Sequence, residues 1–321
     1  MIKGDRLRVK VKLGDAADAF QRALKADPGS MVAHMEMASV YINQDKLDKA
    51  TAEIDPVIKV QANNPLANYL RAVVAYRKQD LAAAQDALTT AQHAAPNYAP
   101  TYLLSGAIHY RQGQLEQAES DLSQYVTAQP QHMPARKLLA ATYIKLRQPD
   151  DAIRVLTELK QAYEKDPQAL SLLGSAYMQR GDPVKGTRYL QEAVKLAPNV
   201  ASIRTQLALG QMASGDTKGA ISELQSAVDM GQGLMQADML LVLAHLQQHE
   251  YDKALAAAQH MAAGSPKSPV PENLIGAAYL GKKDTANARK HFVRALSLKP
   301  DFSTAELNLA RLDIKAGHLD D

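Results

Sequence analysis

The segment Ala99–His132, APTYLLSGAIHYRQGQLEQAESDLSQYVTAQPQH, holds one full period of a 34-residue repeat that continues through the chain. A small residue returns at this interval in the series Ala16, Ala50, Ala84, Ala118, Ala152, Gly186, Ala220, Ala254 and Ala288. A second series lies twelve residues earlier, at Ala38, Ala72, Gly106, Ala140, Gly174, Ala208, Val242, Gly276 and Ala310. Because a fixed period of this length is the signature of stacked supersecondary units, the sequence predicts a solenoid and not a globule around a buried active site.

A large apolar residue follows each small residue of the first series by four positions, as Leu122 follows Ala118. This spacing puts both residues on one face of a helix. Small residues on two crossing helices let the backbones approach to about 8 Å, while the large residue fills the space beside the crossing. The large series is Phe20, Ile54, Leu88, Leu122, Leu156, Leu190, Leu224, Ala258 and Phe292, in which only Ala258 is small.

Proline and glycine mark the predicted helix ends. A proline that stops the second helix of a repeat recurs at Pro28, Pro96, Pro130, Pro198, Pro266 and Pro300. Glycine suits the left-handed turn between the two helices, at Gly113, Gly181, Gly215 and Gly317. The same turn position holds Asp45, Gln79, Arg147, His249 and Lys283 in other repeats, so these turns must close without the freedom of glycine.

Some repeats depart from the pattern. Pro56 falls inside a second helix and predicts a kink there. The junctions around Gly231 and Gly233 and over Ala263–Pro271 are interpreted either as bends of the superhelix or as longer surface turns. Gly186 is the one glycine of its series, so Gly186→Ala should stabilise the chain by about 0.5–1 kcal/mol unless the added methyl group clashes.

The order of small, tyrosine, glycine, alanine and proline residues in Ala99–His132 resembles the tetratricopeptide repeat (TPR) family. The resemblance implies an all-α fold, a TPR α-solenoid in which antiparallel helix pairs form a right-handed superhelix. Residues 31–302 then form eight repeats, which begin at Met31, Pro65, Ala99, Met133, Pro167, Ala201, Met235 and Pro269. Residues 1–30 are an N-terminal half-repeat whose first residues are candidates for a vector-derived leader, and residues 303–321 are a C-terminal half-repeat.

A bare half-repeat leaves apolar surface uncovered, as at Leu307, Leu309 and Leu312 near the C-terminal end. We therefore expect the chain to be a fragment of a longer array, with a natural terminus as the alternative. Two complementary apolar ends also predict end-to-end self-association.

Composition and motifs argue against several function classes. The net charge of +3 over 321 residues is too small to favour nucleic acid or an anionic membrane as the main partner. No apolar run approaches the roughly 18 residues of a membrane span, so no membrane insertion of this region is expected. The chain has no cysteine and no catalytic signature, which predicts a non-enzyme without cofactors. His245, His249 and His260 are the one arrangement that resembles a metal site, and ordinary packing and exposure is the favoured interpretation.

The TPR resemblance implies that the first helix of each repeat lines a concave groove. Helical spacing places apolar, tyrosine and basic residues together there, which predicts a protein or peptide partner, and the basic residues favour an acidic one. The candidate groove residues are Tyr69, Tyr76, Arg77, Leu103, Tyr110, Arg111, Lys137 and Lys145. The basic side chains of this set are expected to lie outside the packed series. The alternative is that basic residues near a helix end complement its dipole and need no ligand.

Two narrower family functions can be compared with the residues. The Lys and Asn carboxylate clamp of chaperone-binding TPR proteins is absent, because the equivalent pairs include Tyr69 with Val73 and Lys137 with Ala141. Residues Leu307–Gly317, LNLARLDIKAG, and Lys12–Pro28 resemble the TPR lipoproteins of bacterial exosortase and PEP-CTERM systems.

That resemblance implies a scaffold for envelope protein sorting or exopolysaccharide assembly. It places the protein on the periplasmic side of the cell envelope, with a lipid anchor in a missing N-terminal part. A cytoplasmic location is the alternative. The alternative function is a regulatory or substrate-recruiting TPR region of a larger enzyme such as a glycosyltransferase.

Overall fold

The computed structural model describes residues 14, 16–231, 233 and 235–316, without the side chains of residues 160, 161, 315 and 316. Expectations for residues 1–13 and 317–321, including the turn at Gly317, lie outside this range. Within it the chain consists of helices joined by short turns, without strands. The helices are α1 (residues 16–26), α2 (Met31–Asn43), α3 (Leu47–Val60), α4 (Pro65–Arg77), α5 (Leu81–Ala94), α6 (Ala99–Gln112), α7 (Leu115–Ala128), α8 (Met133–Lys145), α9 (Pro149–Thr157), α10 (Lys160–Tyr163), α11 (Pro167–Gln179), α12 (Pro183–Leu196), α13 (Ala201–Ala213), α14 (Thr217–Asp229), α15 (Met235–Gln247), α16 (Tyr251–Gly264), α17 (Pro269–Gly281), α18 (Thr285–Leu298) and α19 (Ser303–Ala316).

The described helices form two compact units, divided between Gln148 and Pro149. In the first unit α2 packs on α3, α4 on α5 and α6 on α7, and each pair contacts the next. The second unit repeats this arrangement from α11 to α19. Every repeat start expected from the sequence, from Met31 to Pro269, is the first residue of a helix.

Residues at the helix crossings are matched in size across each repeat. A Cβ added at Gly276 would lie 2.5 Å from Phe292 Cε1, so the glycine makes room for the phenyl ring. In the preceding repeat the order of sizes is reversed, because Val242 and Ala258 are the equivalent residues and both are fully buried in one cluster. The small Ala258 of the large series is therefore explained by the larger residue that it faces.

Gly186 lies at a crossing where the two backbones approach closely. An added Cβ would meet the carbonyl oxygen of Gly174 at 2.9 Å and Met178 Sδ at 2.7 Å. Backbone at this distance cannot move away as a side-chain end can, so the exception stated for Gly186→Ala, a clash of the added methyl group, applies.

We expect Gly186→Ala to lower the free energy of unfolding by about 1 kcal/mol, because overpacking of about 1–3 kcal/mol exceeds the gain of up to about 1 kcal/mol in helix propensity. Urea unfolding followed by circular dichroism measures the change. Gly264→Ala is the control, since its added Cβ meets nothing within 4 Å. Equal stabilisation by both substitutions would show that the crossing has room to spare.

The turns without glycine keep the geometry of those with it. Asp45 and Arg147 adopt left-handed φ values of 59° and 62°, close to the 78° of Gly113. The same backbone bond closes both kinds of turn, as from Lys46 N to Tyr41 O at 2.9 Å. These non-glycine residues therefore accept the strain of the left-handed region and do not change the turn.

Three irregular segments have different outcomes. Helix α3 continues through Pro56 to Val60, and the kink remains a prediction. Four residues, 265–268, join α16 to α17, which is also the length of the junction 61–64, so the longer-turn interpretation is wrong there. The division of the second helix of the fourth repeat into α9 and α10 was not predicted from the sequence. At the end of α9 the Thr157 hydroxyl donates to the Ile153 carbonyl at 2.8 Å.

Candidate functional site

Charge is segregated between the first and second helices in the middle of the first unit. Helices α4, α6 and α8 contain no aspartate or glutamate. Their basic residues are Arg71, Arg77, Arg111, Arg136, Lys137 and Lys145. The second helices α5 and α7 contain four carboxylates and no lysine or arginine. Because α4 contacts α6 and α6 contacts α8, these three helices form one continuous surface, called here the first-helix surface, and of the six basic residues Arg136 is buried beneath it.

Two cations of the first-helix surface stack on tyrosines of the preceding repeat. Lys145 Nζ lies 4.1 Å from the centre of the Tyr110 ring. One period earlier the Arg111 guanidinium lies 5.2 Å from the centre of the Tyr76 ring, and it also donates to Gln79 Oε1. Both cations are exposed, and both tyrosines are half-buried. Cation–π contact therefore holds the charges in position while leaving them accessible to a ligand.

Arg77 occupies the equivalent position in the repeat before, but its role differs. The preceding repeat has Ile42 in place of the tyrosine, and Arg77 Nη1 donates to the Ile42 carbonyl at 2.6 Å. Arg77 Nη1 also lies 3.7 Å from Asp45 Oδ1. The guanidinium thus satisfies a carbonyl at the C-terminal end of α2. Arg77 therefore bonds across the repeat junction, while 40% of its side chain stays exposed.

The remaining candidate residues lie deeper. Tyr69 packs against the apolar cores on both sides of α4, and its ring meets the Tyr98 ring edge to face at 5.4 Å. Burial, with a smaller effect of neighbouring Tyr98, raises the pKa of Tyr69 to about 12. Leu103 and Lys137 are half-buried on the same three helices. The structure therefore brings Tyr76, Tyr110, Arg111 and Lys145 together at the surface and assigns Tyr69 to packing.

A periodic set of polar donors was missed from the sequence. In five repeats a side chain in the first turn of the first helix donates to the backbone carbonyl six residues earlier. The bonds run from His34 to Pro28 at 3.1 Å, Asn68 to Ala62 at 2.8 Å, Tyr102 to Pro96 at 2.7 Å, Arg136 to Pro130 at 2.6 Å and Arg204 to Pro198 at 2.9 Å. These donors fix the junction between repeats. These donors recur at the 34-residue spacing, but they are of different residue types that share only the ability to donate a hydrogen bond, so no sequence pattern marks them.

The histidines that resembled a metal site do not converge. His245 Nδ1 lies 2.7 Å from Glu250 Oε2, and His249 Nδ1 lies 2.8 Å from the Tyr251 hydroxyl. Across the described residues, no three His, Asp or Glu side chains are grouped in a way that could hold a metal ion. In the same part of the chain, no helix is both long enough and apolar enough to span a membrane.

Family models described as tetratricopeptide repeat match residues 12–74 and 112–176, residues 69–133 and 205–269, and residues 167–200 and 273–302. Together they cover nearly all of the chain. The chain belongs to the tetratricopeptide repeat family. TPR proteins are generally protein-binding scaffolds, and an architecture made of such repeats is typical of non-enzymatic ones. The expected all-α TPR solenoid is confirmed.

Solved structures share this TPR fold at low sequence identity. A chain of the APC/C hetero-tetramer Cut9-Hcn1 has a TM-score of 0.59 and 19% identity, over 94% of this chain and 59% of that one. The present chain thus spans less than two thirds of that relative. A tetratricopeptide repeat protein from Parabacteroides merdae has a TM-score of 0.61 and 16% identity, over 78% of this chain and 98% of that one. No curated protein matches the sequence.

Proposed function

We propose that this TPR chain is a scaffold whose first-helix surface, on α4, α6 and α8, binds an acidic segment of a partner protein. The single observation that carries the proposal is the charge of three successive first helices, which have basic residues and no acidic ones. Charge of one sign over a continuous surface attracts a partner of the opposite sign. Tyr76 and Tyr110 add apolar faces beside the exposed cations Arg111 and Lys145.

The size of the surface sets the length of the partner segment. Neighbouring packed helices lie about 8–10 Å apart, so the axes of three first helices span about 20 Å. An extended chain advances about 3.3 Å per residue, and about six to eight residues therefore cross the surface. A labelled peptide of about eight residues that alternates glutamate with leucine is a suitable probe.

The proposal is tested by fluorescence anisotropy with this acidic peptide. We expect Arg111→Gln with Lys145→Gln to weaken binding about tenfold, and to make the remaining affinity less sensitive to salt. Arg77 is left intact because it holds the repeat junction. The control is Lys25→Gln with Lys59→Gln, which removes the same charge from exposed positions on α1 and α3 and should change affinity little.

Three outcomes would overturn the proposal: no binding by the parent chain, equal losses in both double variants, or unchanged affinity in Arg111→Gln with Lys145→Gln. Circular dichroism checks that the variants keep the helicity of the parent. Tyr76→Ala with Tyr110→Ala should reduce affinity at every salt concentration, because contact area and not charge is lost.

We further propose that the scaffold serves envelope protein sorting or exopolysaccharide assembly on the periplasmic side of a bacterial cell. The support is the sequence resemblance of Leu307–Gly317 and Lys12–Pro28 to TPR lipoproteins of exosortase systems. Fractionation of cells that express the native gene tests this, and lipid labelling with recovery in the membrane pellet is the expected result. An unlabelled cytoplasmic product would contradict it, and an adjoining glycosyltransferase domain would favour the enzyme-associated alternative.

A further inference from the structure

The second unit contains an open cleft of about 730 Å³ between the second helices α14 and α16, with α15 as its floor. Ser222 lies on its α14 side, Ala256, Ala257 and His260 lie on α16, and Asp238 lies on the floor. The volume falls within the range of ligand pockets, of about 300–1,000 Å³. The cleft differs from the first-helix surface both in position and in charge.

Asp238 occupies a position that carries a charge pair in other repeats. Residues nineteen apart on the two helices of a repeat form the pairs His34 with Glu53, Arg204 with Glu223, and Glu272 with His291. The nitrogen-to-oxygen distance is 2.7 Å in the first pair and 2.8 Å in the last. In the repeat that begins at Met235, the residue nineteen after Asp238 is Ala257, which cannot pair with a carboxylate. The partner that three other repeats have at this position is therefore missing where the cleft opens.

The Asp238 carboxylate is mostly buried, with 17% of its side chain exposed. Among the residues that the structure describes, the one cationic group in ion-pair range is His260 Nδ1, at 3.5 Å, on a side chain that is 70% exposed. A carboxylate only accepts hydrogen bonds, and burial without a donor is costly. Asp238 is thus poised to accept a donor that enters from the cleft.

The other ionisable groups that line the cleft have closer partners or lie at its rim. Glu250 holds both Lys253, at 2.9 Å, and His245, at 2.7 Å. Asp229 Oδ1 accepts from Gln225 Nε2 at 2.8 Å. Lys218, on α14, is exposed. Asp238 is consequently the group with most to gain from a cationic ligand.

We infer that the cleft binds a lysine or arginine side chain on a segment of a partner protein, with the cation on Asp238 and the aliphatic stem against Ala256 and Ala257. The cation would take the place that His291 fills in the repeat that begins at Pro269. A long basic side chain suits the site, because its stem can cover apolar surface while its head makes the ion pair. The cleft is open and not enclosed, which suits a protein segment better than a small amine that needs most of its surface buried.

Disulfide tethering tests the inference, because the chain has no cysteine and Ser222→Cys supplies a single thiol at the cleft. Aminoalkyl thiols of increasing length, and alkyl thiols of the same lengths, are each joined to this cysteine as a mixed disulfide. The reductant concentration that releases each probe is then compared. We expect the best ammonium probe to survive about fivefold more reductant than its neutral counterpart, as for a partly exposed ion pair. No difference at any length would overturn the inference.

Second substitutions in the Ser222→Cys chain identify the side chain that causes the preference for ammonium probes. Asp238→Asn should abolish the preference for ammonium. Asp229→Asn removes one negative charge from the same cleft and should leave this preference unchanged. Ala257→Arg restores the periodic pair internally and should abolish the preference while Asp238 is intact. If the preference for ammonium survived Asp238→Asn, Asp238 would not be the group that binds the cation. Its survival in a folded Ala257→Arg chain would contradict the assignment in the same way.

A final arm distinguishes a protein segment from a small amine. A short peptide with one cysteine and one lysine is tethered beside the aminoalkyl thiol of equal reach. The peptide should be retained more strongly, because its backbone adds contacts along α14 and α16. Equal retention would identify a small-amine site and overturn the proposal of a protein segment.

Discussion

Phe292→Ala is expected to lower the free energy of unfolding by about 3–5 kcal/mol, and adding Gly276→Val to it should recover much of that loss. Phe292 is fully buried and fills the space that Gly276 leaves at the crossing of α17 and α18. The double variant has the residue pair that the preceding repeat already uses, Val242 with Ala258. Urea unfolding followed by circular dichroism measures the effect.

The single variant Gly276→Val completes this cycle. It should itself be destabilising by about 3 kcal/mol, because the new side chain meets the Phe292 ring. Because each single variant is destabilising and the double variant is expected to be much less so, the coupling energy should exceed about 3 kcal/mol, the upper end for contacting residues. Val293→Ala, on the exposed side of α18, is the control and should cost about 0.5 kcal/mol or less. Additive losses in the double variant would show that the two positions are not matched.

Asn68→Asp is expected to lower the free energy of unfolding by about 3 kcal/mol or more at neutral pH. Asn68 is fully buried, and its Nδ2 donates to the Ala62 carbonyl at 2.8 Å and to the Asn64 carbonyl at 2.9 Å. An aspartate of the same shape has no proton to donate, and its charge would face two carbonyl oxygens. Thermal unfolding at several pH values measures the effect, and the loss should shrink in acid, where the carboxyl group is protonated and can donate.

Tyr102→Phe is the matched control for this junction bond. It removes the one bond that Tyr102 makes to the Pro96 carbonyl, at a less buried position, and should cost about 1 kcal/mol. If Asn68→Asp cost no more than Tyr102→Phe at neutral pH, the donor at this position would not be what fixes the junction.

Features governed by local chemistry were predictable from the sequence. The repeat starts follow from helix-ending residues and the fixed period, and all eight agree with helix starts. The turn residues without glycine, such as Gln79 and Lys283, were identified from their position and adopt the left-handed conformation. In each case the information lies within a few residues of the feature.

Features that depend on long side chains or on neighbouring repeats were not predictable in the same way. The position of Arg77 was predicted, but its reach to the Ile42 carbonyl depends on the absence of a tyrosine there. A clash was named beforehand as the exception for Gly186→Ala, but sequence spacing does not give the distance to the Gly174 backbone that decides it. The cleft beside Asp238 follows from a missing partner, and this became visible only once the pairs of the other repeats were known.

Hydrogen exchange measured by mass spectrometry, with and without the acidic peptide, tests the central claim most directly. We expect slower exchange in the presence of the peptide over α4, α6 and α8, where the basic first helices lie. Because binding adds stability where contacts form, the protection should be lost in Arg111→Gln with Lys145→Gln and kept in Lys25→Gln with Lys59→Gln. Protection confined to α5 and α7, or to the second unit, would contradict the account.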